Sequence, residues 1–85
     1  MKFGKYSPNV SMSIRGGWLY IFKFKNGYGA SIIKNWYSRG GPEGYYELAV
    51  LKNGKIIYDT PITNDVVSWL DKNDVAELLK QIEEL

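Results

Sequence analysis

Trp18 to Asn35 reads WLYIFKFKNGYGASIIKN, with apolar-rich runs on both sides of Asn26-Gly27. Asn-Gly between such runs is the strongest short-range signal for a β-hairpin, because a two-residue type I′ turn needs positive φ at both central positions. The sequence therefore predicts a hairpin with a two-residue loop, in which Tyr20 lies opposite Ile33.

The two faces of the first strand of this hairpin differ. Its aromatic face carries Trp18, Tyr20, Phe22 and Phe24, and its mixed face carries Leu19, Ile21, Lys23 and Lys25. A single helix can cover only one face of the sheet. If the helix covers the aromatic face, the exposed face is a cationic rim of Lys23, Lys25 and Lys34 around Ile21 and Ile32. If it covers the mixed face, the rings face solvent and offer a stacking platform. The sequence leaves both arrangements open.

The chain around this hairpin predicts further strands. Val10, Met12 and Ile14 alternate with polar residues, which is the period-two pattern of a strand, and Gly16-Gly17 predicts a turn or bulge after it. A second hairpin, from Tyr45 to Tyr58, has its turn at Asn53-Gly54. Its two-residue loop places Leu51 opposite Ile56.

The C-terminal segment predicts two helices. Val66, Val67, Trp69 and Leu70 predict a short apolar helix of about two turns, capped by Thr63 or Asn64 with Asp65 in its first turn. A second helix is predicted from Asp74 to Glu84, capped by Asp71 or Asn73. Its apolar stripe follows i, i+3, i+4, i+7 spacing and consists of Val75, Leu78, Leu79 and Ile82.

These elements predict an α+β fold. We expect an antiparallel sheet of four to five strands built from two Asn-Gly hairpins, followed by two C-terminal helices packed on one face. Residues 1–85 form a single domain, with an irregular lead-in at 1–9, the hairpin sheet at 10–59 and the helices at 64–84.

The composition argues against an enzyme. The chain has no Cys and no His, which removes the thiolate nucleophile, the commonest general base and the commonest metal ligands. Each carboxylate has an ordinary role in a loop, at a strand end or in a helix cap. We therefore predict no catalytic residues, no metal site and no cofactor. No apolar run is long enough to span a membrane, and the N-terminus lacks the apolar core of a signal peptide.

Charge is distributed unevenly along the chain. Residues 1–42 contain seven basic residues and no acidic one, whereas residues 43–85 contain four basic and nine acidic residues. This asymmetry is consistent with an electrostatically guided partner. A simpler explanation is a Lys-rich sheet packed on an acidic helix.

Aromatic and basic residues suggest two kinds of binding. The loop after the first hairpin carries Trp36, Tyr37 and Arg39, residue types that are enriched in interaction hot spots. The predicted partner-binding residues are Arg15, Lys23, Lys25, Lys34, Trp36, Tyr37 and Arg39. With Trp18 and Tyr28, the same set could bind single-stranded nucleic acid by stacking over a cationic sheet, although the RNP1 pattern is absent.

Gly44 to Leu79 resembles small uncharacterised proteins encoded by bacteriophages of Gram-positive bacteria. The matching residues are Glu47-Leu48-Ala49-Val50, Tyr58, Thr60-Pro61-Ile62-Thr63 and Asp65-Val66, with Tyr28-Gly29-Ala30-Ser31 and Gly40-Gly41 before them. The resemblance implies a phage accessory protein in the host cytoplasm. Proteins of this kind often bind a host protein, including nucleases and other defence factors. It carries over no catalytic residues.

The sequence as a whole therefore predicts a non-enzymatic, cytoplasmic binding protein. Its expected partner is a host protein, such as a defence factor, which it modulates or inhibits. The alternative is direct binding of single-stranded nucleic acid through an aromatic and basic sheet face. A homo-oligomer formed through edge strands is a third expectation, because hairpin sheets leave open edges.

Overall fold

A computed structural model of the chain describes residues 1–62 and 66–85. In this part of the chain, six antiparallel strands form one sheet and a single α-helix packs against it. The strands are β1 Val10–Ile14, β2 Gly17–Lys23, β3 Tyr28–Lys34, β4 Tyr46–Lys52, β5 Lys55–Ile56 and β6 Val67–Leu70, and the helix is α1 Lys72–Glu83. The sheet order is β1-β2-β3-β4, and both β5 and β6 pair with β4.

The first strand lies where the alternation of apolar and polar residues predicts it. β1 joins β2 through a two-residue turn, Arg15-Gly16, since Ile14 pairs with Gly17. Both turn residues have positive φ, 43° at Arg15 and 80° at Gly16, as a type I′ turn requires. The predicted turn at Gly16-Gly17 is thus shifted by one residue, and the sheet has three tight hairpins instead of two.

The β2–β3 hairpin has a different register from the predicted one. Its loop contains three residues, because the backbone N–H of Phe24 donates to the backbone carbonyl oxygen of Tyr28 at 2.8 Å. Tyr20 pairs with Ile32, and Ile33 pairs with Leu19. A type I turn followed by glycine in the left-handed region is the usual three-residue hairpin, and Gly27 has φ of 86°. The predicted pairing of Tyr20 with Ile33 is therefore wrong by one residue.

Asn26 explains why this turn differs. Its Nδ2 donates to the carbonyl oxygens of Ile82 and Glu83, at 3.0 and 3.1 Å, at the C-terminus of α1. Its Oδ1 accepts the Tyr28 N–H at 3.0 Å. The last carbonyls of a helix have no partners within the helix, so the amide satisfies two of them and ties the turn to the helix.

The second hairpin has the predicted register. Leu51 pairs with Ile56 around the Asn53-Gly54 turn, and both turn residues have positive φ. The short β5 occupies only the C-terminal part of β4's outer edge. The N-terminal part of that edge pairs with β6, at Tyr46 with Leu70 and at Leu48 with Val67.

The prediction of two C-terminal helices is wrong, because Val67–Leu70 forms β6. β-branched and aromatic residues favour strands, and the free edge of β4 supplies the backbone hydrogen bonds that a two-turn helix lacks. The predicted caps Thr63 and Asn64, and Asp65 in the predicted first turn, lie outside the described residues. Residues 1–62 and 66–85 thus contain one α-helix and six strands instead of two helices and four to five strands.

The remaining helix, α1, begins two residues earlier than predicted, at Lys72. Asp71 is its N-cap: Asp71 Oδ1 accepts the Asp74 N–H at 2.7 Å, and Asp74 Oδ2 accepts the Asp71 N–H at 3.0 Å. This reciprocal pair is a capping box with aspartate in the place of the usual glutamate. Along the predicted stripe, Val75, Leu79 and Ile82 are fully buried and Leu78 is half-buried.

The aromatic face of β2 lies on the side of the sheet that carries the helix. Tyr20 and Phe22 are buried there in one core cluster with Ile32 of β3, Leu48 and Val50 of β4 and the buried stripe of α1. The predicted irregular lead-in contributes to the same core. Phe3 is fully buried, and its ring contacts the rings of Tyr20, Phe22 and Tyr46 edge-on, with centroids 5.1–6.0 Å apart. Phe3 and Tyr6 form an isolated antiparallel bridge, so this segment is structured.

We call the opposite face of the sheet the open face, because its β1 and β2 residues are exposed or half-buried, although Ala49 and Leu51 of β4 are buried on it. The pairing places on it the following apolar side chains: Val10, Met12, Ile14, Leu19, Ile21, Ile33, Ala49, Leu51 and Ile56. The open face is therefore more apolar than the predicted cationic rim. Of the three predicted rim lysines only Lys23 lies on it, because Lys25 is in the turn and the pairing places Lys34 on the helix side.

The Asn26 contacts predict a loss of stability in Asn26→Ala. The substitution removes two donors to α1 and one acceptor in the turn, so we expect about 1–2 kcal/mol less free energy of unfolding in urea titrations. Asn26→Asp keeps the acceptor but places a carboxylate at the negative end of the helix dipole, so it should be at least as destabilising. An Asn26→Ala variant as stable as the wild type would contradict this role.

Tyr6 predicts an alkaline limit to stability. Its Oη donates to Glu83 Oε1 at 2.9 Å. Burial, followed by this hydrogen bond and the negative charge of Glu83, raises the pKa of Tyr6 from 10.0 to about 12. Because the unfolded phenol ionises at lower pH than the folded one, the contribution of Tyr6 is complete below pH 10.0 and is lost as pH rises to about 12.

Urea titrations between neutral and strongly alkaline pH measure this effect. Tyr6→Phe should be less stable than the wild type at neutral pH, and its stability should decline less steeply in alkali. Burial also raises the pKa of Tyr20, so part of the slope should remain. Tyr58→Phe, which alters an exposed ring, is the control and should retain the wild-type slope. Identical slopes for Tyr6→Phe and the wild type would refute the assignment.

Candidate partner-binding surface

One end of the sheet gathers all three tryptophans. β2 starts at this end and β3 finishes there, with Trp18 opposite Lys34. β4 starts and β6 finishes at the same end, with Tyr46 opposite Leu70. We call this surface the tryptophan end. Its exposed aromatic residues are Trp18, Trp36, Tyr37, Tyr45 and Trp69.

Trp36 lies against the β1–β2 turn. A Cβ atom at Gly16 would overlap the Trp36 indole, so the ring packs directly on a backbone that has no side chain there. Gly16 also has a positive φ of 80°, which makes glycine doubly suitable at this position. The backbone N–H of Trp36 donates to the backbone carbonyl oxygen of Arg15 at 3.4 Å. Trp36 is therefore held in place while 68% of its surface stays exposed.

Trp69 occupies a strained position in β6. The pairing with β4 shifts register between Tyr46 and Leu48, and Trp69 has φ of 60° there. The left-handed region is unfavourable for a bulky residue, so the surrounding structure must hold it. The Trp69 ring packs on Tyr45, with centroids 5.6 Å apart, and over Gly40, where an added Cβ would lie 2.9 Å from the indole. This bulge presents a tryptophan that is 56% exposed.

The loop between β3 and β4 is held by its own hydrogen bonds. Asn35 Oδ1 accepts the N–H groups of Tyr37 and Ser38, at 2.9 and 2.8 Å. Ser38 Oγ accepts the Asn35 N–H at 2.9 Å. Both Asn35 and Ser38 are buried. A short 3₁₀ turn, Gly41–Glu43, follows. The glycine-rich segment is therefore a structured support for Trp36 and Tyr37.

Three cations lie at the tryptophan end, and two of them face aromatic rings. The Arg15 guanidinium lies 5.6 Å from the centre of the Tyr37 ring, and Lys34 Nζ lies 4.8 Å from that of Tyr46. Arg39 is exposed on the same loop. Such cation–π contacts orient the rings and the charges together. Two acidic residues are also close in the chain: Glu43 is exposed, and Glu47 accepts a hydrogen bond from Ser68 Oγ at 2.9 Å.

A shallow, open depression of about 430 Å³ lies between Trp18 and Trp36. Lys34 lines one side, and Gly17, Gly41 and Pro42 contribute backbone and small side chains. An open hollow with indole walls and a cation suits a protruding side chain of a partner better than an enclosed small molecule.

The structure brings together five of the seven predicted partner-binding residues. Arg15, Lys34, Trp36, Tyr37 and Arg39 lie at the tryptophan end. Lys23 and Lys25 lie at the other end of β2, about 20 Å away by the rise of a strand. They therefore cannot contribute to the same small contact.

Two aromatic residues of this surface are absent from the predicted set. The sequence places Trp69 in a short apolar helix and Tyr45 at the start of the second hairpin. The signal that could have identified them is Val67-Ser68-Trp69-Leu70, whose β-branched and aromatic content favours a strand over a two-turn helix. Trp18 was included only in the set proposed for nucleic-acid binding.

Asn35 predicts a specific effect on the loop. Asn35→Ala removes the acceptor of two backbone N–H groups near Trp36, so we expect a loss of about 1–3 kcal/mol in unfolding free energy. Hydrogen exchange at Tyr37 and Ser38 should accelerate more than exchange in β2. Asn35→Asp retains an acceptor oxygen and is the matched control, with smaller effects on both measurements. Unchanged exchange at Tyr37 and Ser38 in Asn35→Ala would be incompatible with this role.

The described residues contain no group of three or more acidic side chains arranged to hold a metal ion. Among them, no helix has the length and apolar character needed to cross a bilayer. The chain matches no protein-family model, no curated protein and no solved structure. The resemblance of residues 44–79 to phage-encoded proteins therefore stays a prediction.

Proposed function

We propose that this protein is a non-enzymatic binding protein that contacts a partner protein through its tryptophan end. The observation that carries this proposal is the placement of Trp18, Trp36 and Trp69 at one end of the sheet, all exposed. Trp, Tyr and Arg dominate interaction hot spots, and the two aromatic types bury a large area while losing little side-chain freedom. A folded protein that needs these rings only for its own core would bury them, as it does Phe3 and Phe22.

Rigidity supports the same proposal. Trp36 packs on a glycine turn, Trp69 on Gly40 and Tyr45, and the intervening loop is held by Asn35 and Ser38. A preorganised surface loses less entropy on binding than a mobile one. The strain at Trp69 has the character of a functional feature, because an unstrained strand would direct the side chain elsewhere.

Charge favours a protein partner over nucleic acid. Single-strand binders neutralise several phosphates, whereas two of the three cations here already face the rings of Tyr37 and Tyr46. The aromatic sheet face required by the nucleic-acid alternative is also buried at its centre, since Tyr20 and Phe22 belong to the core. Nucleic-acid binding would therefore have to use the tryptophan end.

For the partner, we propose a host protein. The resemblance of residues 44–79 to phage-encoded proteins supports a phage accessory protein that acts in the host cytoplasm. In that setting it would modulate or inhibit a host protein such as a defence factor. This step rests on resemblance and not on the geometry of the site.

Capture from a host lysate tests the proposal. The wild-type protein should retain a host protein after nuclease treatment of the lysate. Trp36→Ala should weaken that capture at least tenfold, or by about 1.4 kcal/mol, because the exposed indole belongs to the contact and not to the core. Arg39→Ala should also weaken it.

Tyr58→Ala is the matched control, because Tyr58 is an exposed ring that follows β5 and is not among the residues of the tryptophan end. It should capture the same protein as the wild type does, and urea titration should show that all variants fold. Retention of nucleic acid alone, or equal losses in Trp36→Ala and Tyr58→Ala, would contradict the proposal.

A further inference from the structure

The outer edge of β1 is unpaired among the residues that the structure describes. β1 pairs only with β2, through the two-residue turn at Arg15-Gly16. The pair that closes such a turn exchanges both backbone hydrogen bonds, and alternate residues then point outward. The backbone N–H and C=O groups of Ser11 and Ser13 are therefore directed away from the sheet.

The two edges of the sheet differ in how well they are protected against pairing with a strand of another molecule. β1 reads VSMSI and contains no charge, no proline and no bulge, although its residues are exposed or half-buried. On the opposite edge, β5 has two residues, one of them Lys55, and β6 carries the bulge at Trp69. Natural sheets block edge-to-edge pairing with short strands, lysines and bulges. Only the β5–β6 edge has these features.

The sequence of β1 is nearly symmetric about its centre. Reading outward from Met12, both neighbours are serine and both ends, Val10 and Ile14, are β-branched aliphatic residues. A second copy of the strand, placed antiparallel with a two-fold axis at Met12, would pair each serine with a serine. Val10 of one copy would lie opposite Ile14 of the other.

We infer that β1 pairs with β1 of a second copy of this chain, with Met12 opposite Met12 across a two-fold axis. Two pairs of Ser11 with Ser13 exchange four backbone hydrogen bonds, because these are the residues whose polar groups point outward. The apolar side chains of β1, Val10, Met12 and Ile14, lie on the open face in both copies, so an apolar strip continues across the axis.

The area of this contact sets its strength. Five residues a side bury less than the roughly 1,600 Å² of a standard interface, so the dimer belongs to the weak, concentration-dependent class. Because the strands are antiparallel, the two tryptophan ends point in opposite directions. The dimer would thus present two partner-binding surfaces, and its formation does not depend on the proposed partner.

Disulfide trapping tests the register. The chain has no natural cysteine, so single substitutions report one position each. In Met12→Cys the two Cα atoms would lie about 4.5–5.5 Å apart, within reach of a disulfide. In Val10→Cys they would lie about 14 Å apart, beyond that reach. Met12→Cys should cross-link at least about tenfold faster than Val10→Cys. Equal rates for the two variants would overturn the proposed register.

Sedimentation from micromolar to millimolar concentration tests the dimer without a covalent bond. The wild type should show a reversible monomer–dimer equilibrium. Met12→Lys should be monomeric throughout, since it places two like charges opposite each other. Ile56→Lys is the matched control and should dimerise normally, because Ile56 is as exposed as Met12, at 47% and 49%, but lies on the opposite edge.

Three results would overturn the inference. One is a wild type that stays monomeric at millimolar concentration. Another is a Met12→Lys variant that still forms the wild-type dimer. The third is a dimer abolished by Ile56→Lys and retained by Met12→Lys, which would place the contact on another edge or on the open face.

Discussion

The register of β2 against β3 decides which side chains of this protein are buried. Side chains alternate between the faces of a sheet, so a shift of one residue moves the whole set of one strand to the other face. In the observed register Ile32 joins Tyr20 and Phe22 under α1, and Ile33 lies on the open face. The three-residue turn that sets this register is bonded through Asn26 to the C-terminal carbonyls of α1. The conformation of the turn, the register of the sheet and the position of the helix therefore depend on one another.

The exposure of the tryptophan end follows from this strand register. Tyr20 and Phe22 of β2 belong to the core, whereas all three tryptophans lie exposed at one end of the strands. They are supported by features that contribute little to the core: a glycine turn under Trp36, a bulge at Trp69 and the buried pair Asn35 and Ser38. A bulky residue at positive φ costs stability, so the surrounding contacts must offset that cost. Such a balance is usual where a surface binds a partner.

The layering of the fold also shapes what the sheet can bind. One helix covers one face, so a six-stranded sheet is left with an apolar face and two edges. The β5–β6 edge carries a lysine and a bulge, and the β1 edge carries neither. Uneven protection of this kind separates an edge that resists pairing from one that permits it.

The sequence by itself determined the local elements. The β1 strand, the second hairpin with its register, and the capped helix with its buried stripe all follow from neighbouring residues, through alternation, turn chemistry and capping. Five of the seven predicted site residues also share one surface, because they flank a turn and a loop at one end of a hairpin. Only the tertiary structure decided the register of β2 against β3. That register depends on a hydrogen bond between Asn26 and Ile82, which are 56 residues apart. The same is true of Val67–Leu70: a short apolar run suits either a helix or a strand, and the free edge of β4 selects the strand. Trp69 lies at the tryptophan end only because Val67–Leu70 forms a strand on β4.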